Sequence, residues 1–260
     1  IAGVYAMQDV ALAYGGDRLH KRVTDILCGY LRTDRSNYMA SEHAVESTIW
    51  DVISTLVELR PRNWMCFNLD LHETMLTERI HLSRGRIYSI NLQGTTLISA
   101  CDFTTVSIID KANFQETTFS MIAKFTHTHL SDANFNNAHF KGAAIFASSE
   151  FGGPLQESSF CFIHFYKEVD FSGVKFYSRT RFTGSTFEQH VNYERAHFVG
   201  SADFSEVEFK DGVNFEGTIF NVDYKNEGKI SFPEDLALTE EGLPIGAKWA
   251  RFNKYGEPEQ

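Results

Sequence analysis

The chain has 260 residues, 43% of them hydrophobic, and a formal net charge of −10. That length buries a core without covalent staples. The acidic balance, strongest toward the C-terminal end, argues against direct nucleic-acid binding, which needs a basic track, and no run of eighteen apolar residues is present to span a membrane. Cys28, Cys66, Cys101 and Cys161 have neither paired nor metal-ligand spacing, which points to a reducing compartment and hence the cytoplasm.

Three amphipathic helices are predicted first. Ala2 to Tyr14 is apolar with helical spacing and stops at Gly15-Gly16. Asp17 to Arg32 places Leu19, Val23, Ile26, Leu27, Tyr30 and Leu31 on one stripe. Residues 33–40 read as a polar loop. Ser41 to Arg60 aligns Val45, Thr48, Ile49, Val52, Ile53, Leu56 and Val57, with Ser41 as N-cap, Glu42 in the first turn and Pro61 as the stop. This defines an α-helical domain over 1–65, with Trp64 and Phe67 at its C-terminal junction.

From Leu71 to Phe220 large apolar residues recur every five or six positions. The centres run Leu71, Leu76, Leu82, Ile87, Leu92, Leu97, Phe103, Ile108, Phe114, Phe119, Phe125, Leu130, Phe135, Phe140, Phe146 and Phe151. They resume as Phe160, Phe165, Phe171, Phe176, Phe182, Phe187, Tyr193, Phe198, Phe204, Phe209, Phe215 and Phe220. Between Phe160 and Phe220 a small or β-branched residue stands two before each centre, as at Val169, Ala196 and Thr218. This period fits neither a helix nor a flat strand, but a short strand and a turn, repeated. Centre and preceding small residue share an inward face.

Every six-residue step falls on an even-numbered gap, which four-sided coils accommodate by stacking bulges at two opposite corners. The one break, Phe151 to Phe160, preserves this parity, so Gly152–Glu157 is expected to be a corner loop and not a lost unit. Twenty-eight centres make seven coils, a rod about 34 Å long at the spacing of adjacent strands. Gly94, Gly142, Gly153, Gly173, Gly184, Gly200 and Gly217 each lie two residues after a centre, where a tight corner favours an unusual backbone angle. Cys101 precedes Phe103 by two and is read as core.

The repeat domain is placed at 66–228. Residues 229–252 hold Ile230, Phe232, Leu236, Leu238, Leu243, Ile245, Trp249 and Phe252, too many apolar groups for a disordered segment. They are expected to fold back against the last coil. The capping segment runs over 229–260, with 256–260 loose. An open solenoid end exposes backbone and apolar interior, and the helices are expected to cover the N-terminal one.

Units such as Ala112-Asn113-Phe114-Gln115-Glu116 and Asp132-Ala133-Asn134-Phe135-Asn136 resemble the pentapeptide-repeat family. The resemblance implies a right-handed quadrilateral β-helix over roughly 71–220. The entry segment from Ile1 to Arg32 is similar to one that recurs in bacterial pentapeptide-repeat membrane proteins. That resemblance implies transmembrane helices upstream and attachment to the inner face of the cell membrane. Because the first residue is Ile1, the chain reads as a fragment or a processed product.

No phosphate loop, dinucleotide fingerprint, nucleophile elbow or zinc-protease motif occurs, so no catalytic residue, metal ligand or cofactor is assigned. His127 and His129 are read as sharing an outward face, and His164 and His197 as outward. Tyr166 and Tyr177 are outward contact candidates. Residues 201–228 hold seven acids and two bases. Asp203, Glu206, Glu208, Asp211 and Glu216 are therefore the candidate surface for a basic protein partner. The expected function is a non-enzymatic interaction or scaffold module. The alternative implied by the family is an acidic, DNA-shaped regulator of a type II topoisomerase.

Overall fold

A computed structural model describes residues 1–14, 17–33, 40–58, 67–153, 156–227 and 229–259. Three helices, α1 (Ala2–Tyr14), α2 (Asp17–Leu31) and α3 (Ala40–Glu58), precede a parallel β-solenoid. Helix α3 begins at Ala40, so Ser41 is already helical and not the predicted N-cap. The stop at Pro61, Trp64 and Cys66 lie outside the described residues, as do 34–39 of the predicted loop.

Each coil has four short strands. In coil 1 these are Asn68–Asp70, Met75–Leu76, Ile80–His81 and Arg86–Ile87, which define faces 1 to 4. Faces 2 and 3 are seven-stranded parallel sheets, so the rod has the expected seven coils. Faces 1 and 4 merge into one fourteen-stranded sheet, because strands Ser107–Asn113 and His129–Asn134 run round the corner between them. The register shifts between Leu130 and Asp132, where a five-residue step stacks on a six-residue one. Ser158 pairs with Ala133 just as Phe151 pairs with Leu130, so the break after Phe151 is a single enlarged corner. Leu155, inside it, is not among the described residues.

The interior is a set of ring columns. Tyr193 stacks between Phe171 at 5.0 Å and Phe215 at 5.2 Å, and Phe182 between Phe160 and Phe204, both at 4.9 Å. Rings of neighbouring columns meet edge to face, as Phe182 and Tyr193 do at 84°. Both geometries are favourable for aromatic quadrupoles. Cys101 is buried, and burial pushes its thiol pKa up, as expected of a packing residue. The Cys28 thiol is pushed up to about 12, chiefly by burial.

The corners alternate in kind. Every corner after faces 1 and 3 has a positive-φ residue two after the centre, from Glu73 at 50° to Gly217 at 67°; the corners after faces 2 and 4 have none at that position. Four of the seven singled-out glycines (Gly94, Gly173, Gly184 and Gly217) therefore sit where an unusual angle is required. Gly142 and Gly200 do not. They are glycine because a Cβ there would lie 2.2 Å from the backbone of Met121 and Ser178 respectively. At the positive-φ corners buried hydroxyls bond the preceding coil: Thr95 donates to the Leu71 carbonyl at 2.6 Å, Thr117 to Leu92 at 2.7 Å and Thr218 to Tyr193 at 2.7 Å.

The helices seal coil 1. Leu27, Leu31, Ile49, Val52, Ile53, Leu56 and Val57 join one apolar cluster with the first centres. Ile26 and Tyr30, predicted on the α2 stripe, are instead 50% and 37% exposed, and Cys28 packs inward. Glu46 is buried, and its carboxylate accepts the backbone N–H groups of Thr77 (2.8 Å) and Glu78 (3.0 Å) and the Thr77 hydroxyl (2.9 Å). It supplies acceptors for amides at the start of the rod, which have no earlier coil to pair with. The Arg32 guanidinium binds Asp70. Among the described residues no helix is long and apolar enough to cross a membrane.

At the other end residues 230–250 do not simply fold back. Ile230–Ser231 pairs in parallel with face 1 and Lys248–Ala250 with face 4, a partial eighth coil. The end is also not loose. Residues 251–259 form a hairpin, bridged at Phe252 and Pro258, that lies on face 4. Lys175 pairs with Glu257 at 2.5 Å, and a Cβ on Gly256 would meet the Tyr177 ring at 2.4 Å.

Candidate interaction surface

Between the end coils the outward side chains sit on a fixed lattice, because the backbone beneath them is bonded to the coils above and below. Asn or Asp directly before a centre on faces 1 and 3 also accepts the N–H of the residue after that centre. Asn91, Asp102, Asn113, Asn134, Asp170, Asn192, Asp203 and Asn214 do so at 2.9–3.3 Å. Several link coil to coil: Asn91 donates to Asp70 and Asn113 to Asn91, both at 3.0 Å. The sequence carries this signal as Asn or Asp just before alternate centres, a pattern the reading by centres alone passes over.

Coil 7 distributes the five candidate acids around its circumference. Asp203 lies on face 1, Glu206 at the following corner, Glu208 on face 2, Asp211 at the next corner and Glu216 at the corner diagonally across from Glu206. Glu206, Glu208, Asp211 and Glu216 are exposed. Asp203 is not a free contact group. Partial burial would raise its pKa, but hydrogen bonds from Ser205 and Ser231 (both 2.6 Å) and Thr183 (3.0 Å) outweigh that and hold it below the usual value. The geometry thus brings Glu206, Glu208 and Asp211 to one side and leaves Glu216 on another.

The histidines divide similarly. His127 occupies a positive-φ corner and His129 the next strand, 3.5 Å from Glu150, so the two flank a corner and do not share a face. His164 bonds Glu188 at 2.9 Å and stacks on Tyr166 at 4.0 Å. His197 and Tyr177 lie under the C-terminal hairpin; the His197 ring is 5.7 Å from Phe252. Among the described residues no three His, Cys, Asp or Glu side chains are grouped to hold a metal ion.

Tyr166 is outward as expected, and it belongs to an apolar row whose other members escaped the sequence reading. Met75, Ile98, Met121 and Tyr166 stand exposed along face 2, and Phe162 is 58% exposed at its leading corner. Phe162 has φ of 55°, a conformation rare for a bulky side chain, and its ring occupies the space a Cβ on Gly184 would need. Because these residues fall outside the centre positions, the repeat period does not mark them. A shallow groove of about 500 Å³ opens at the corner between faces 4 and 1, lined by Tyr177, Arg179, Ser201, Asp203, Tyr224 and Lys229 among others. Its charges are mixed, and Arg179 faces Glu157 at 3.7 Å.

Comparison with known proteins agrees with this geometry. A family model described as pentapeptide repeats (9 copies) matches residues 163–208, and a second, pentapeptide repeats (8 copies), matches residues 123–146. No curated protein and no solved structure matches the chain.

Proposed function

We propose that this chain, which carries pentapeptide repeats, is a non-enzymatic rod that binds another protein. Proteins with these repeats are commonly interaction or scaffold modules. The observation that carries the reading is the rod's exterior. It is an extended convex surface of side chains fixed on a rigid lattice, the kind solenoids use for recognition, and its exposed acids are densest at one end. A reducing compartment suits it, because Cys28, Cys101 and Cys161 are buried free thiols.

The topoisomerase alternative has net charge and rod shape on its side. The charge, however, is not spread along the rod: residues 67–200 hold 13 acids and 11 bases, nearly neutral where a duplex mimic needs a continuous acidic track. Photocrosslinkers placed at outward positions of each face, read by mass spectrometry, test the proposal. One partner captured from one face supports it, and equal background from all four faces overturns it. Inhibition of supercoiling by the isolated chain would put the alternative first.

A further inference from the structure

The C-terminal end of the rod is closed on two sides and open on two. Ile230–Ser231 extends face 1 and Lys248–Ala250 extends face 4. Faces 2 and 3 stop at Glu208–Phe209 and Val213–Asn214, each the last strand of its sheet. The stretch 232–247 crosses between the two added strands, and among the described residues no backbone hydrogen bond runs from it to Phe209 or Val213. An unpaired strand edge is a template for another strand.

The interior beneath that edge is also unfinished. Phe187 covers one side of the Phe209 ring at 5.3 Å. Every earlier centre in this column is at most 1% exposed, whereas Phe209 and Val213 are only partly buried. The neighbouring columns do not end this way: Phe204 is stacked by Phe232 at 5.7 Å, and Phe220 is met by Trp249 at 6.4 Å. Among the described residues no ring of a following coil stacks on Phe209. Leu243, which is buried, and Leu236 join the same apolar cluster but leave Phe209 partly exposed.

Charge selects the occupant. Glu206, Glu208 and Asp211 rim the edge, and residues 233–247 add four acids and no Lys or Arg. Lys210, just after the Glu208–Phe209 strand, is engaged by Glu188 at 2.9 Å and reaches Glu208 only at 3.9 Å. A second copy meeting this end with its own would oppose like charges, which costs affinity. A basic segment would be drawn in.

We propose that the open edge takes an extended basic segment of another protein as an added strand beside Glu208–Phe209. Its aromatic side chain packs on the exposed part of Phe209, and its Lys or Arg side chains turn to Glu206, Glu208 and Asp211. Main-chain pairing supplies affinity in such strand addition, and alternate side chains supply specificity. The inference rests on the protein-binding reading above and names the partner's chemistry.

The test titrates the full chain with a fluorescein-labelled peptide, Lys-Val-Lys-Phe-Lys-Gly, and follows anisotropy and amide hydrogen exchange. Expected are saturable binding that weakens with added salt and slowed exchange at Phe209. Expected too is an affinity loss of about tenfold or more in the Glu206→Lys, Glu208→Lys, Asp211→Lys variant. A peptide with alternate backbone nitrogens methylated keeps the charges but cannot pair as a strand, and it should not bind. Equal binding of the methylated peptide, slowed exchange confined to other faces, or a concentration-dependent dimer that protects Phe209 without peptide each overturns the proposal. If the peptide fails while crosslinking from coil 7 still captures one partner, the edge falls and the binding-module reading stands. If both fail, both fall.

Discussion

At the scale of single residues the interior decides stability. Phe182 is fully buried between two stacked rings, so Phe182→Ala should cost about 3–5 kcal/mol, the usual loss for a truncated core aromatic. Urea unfolding measures this, and a loss under about 1 kcal/mol would be incompatible with that placement. Tyr193 poses the opposite case. It stands in a phenylalanine column, fully buried, and among the described residues its hydroxyl has no hydrogen-bond partner. Burial accordingly pushes its pKa well above the ordinary value. An unpaired buried hydroxyl costs about 1–3 kcal/mol, so Tyr193→Phe should raise the urea midpoint; a lower midpoint would mean the hydroxyl has a partner. The centres were readable because one residue type recurs at one spacing. The Asn and Asp ladder and Phe162 were not, because their roles depend on which coil lies next to them.

At the scale of elements the repeat and its helical N-terminal cover are legible, whereas the contacts that finish each end are not. The α1 boundaries match the apolar pattern, and the seven coils follow from parity alone. Glu46 gives no sequence sign of its task, since its partners Thr77 and Glu78 lie 31 and 32 positions away. The C-terminal hairpin has no period to announce it. That hairpin carries a pH dependence. Burial, then nearby Lys175, lowers the His197 pKa below its ordinary 6.5; Glu257 and Lys248 are the other charges facing it. A released hairpin would return the imidazole toward 6.5, so the released state binds the proton more readily. Closure should therefore be complete above about pH 6.5 and weaken as pH falls toward the folded value. The Lys175–Glu257 pair does not share this window, because each partner's shift extends the range in which it is charged. Hydrogen exchange across residues 251–259 should quicken on acidification beyond the intrinsic chemical trend. His197→Asn should abolish the excess, and an unchanged excess would place the switch elsewhere.

At the scale of the whole molecule the charge is a gradient. Residues 67–200 are nearly balanced, and 201–228 hold seven acids against two bases. Long-range steering of a basic partner thus comes from one end. Reversing Glu206, Glu208 and Asp211 to Lys should slow association and flatten its dependence on ionic strength, with a smaller change in dissociation. Stopped-flow mixing at two salt concentrations reads this directly. Unchanged kinetics would move the contact to the helices or to the apolar row on face 2.

The unequal ends also give the molecule a mechanical direction. Helix α3 clamps the first coil through the Glu46 carboxylate, while the last coil is overlaid on only two sides. Each coil touches little beyond its neighbours, so a chain under tension peels as thread leaves a spool, from the C-terminal end. Coils 5 to 7 repeat every 22 residues, as Phe171, Tyr193 and Phe215 do. One released coil therefore pays out roughly 70 Å of extended chain. A molecule held by its two termini should lengthen in a staircase of about that step, with the helices the last to let go.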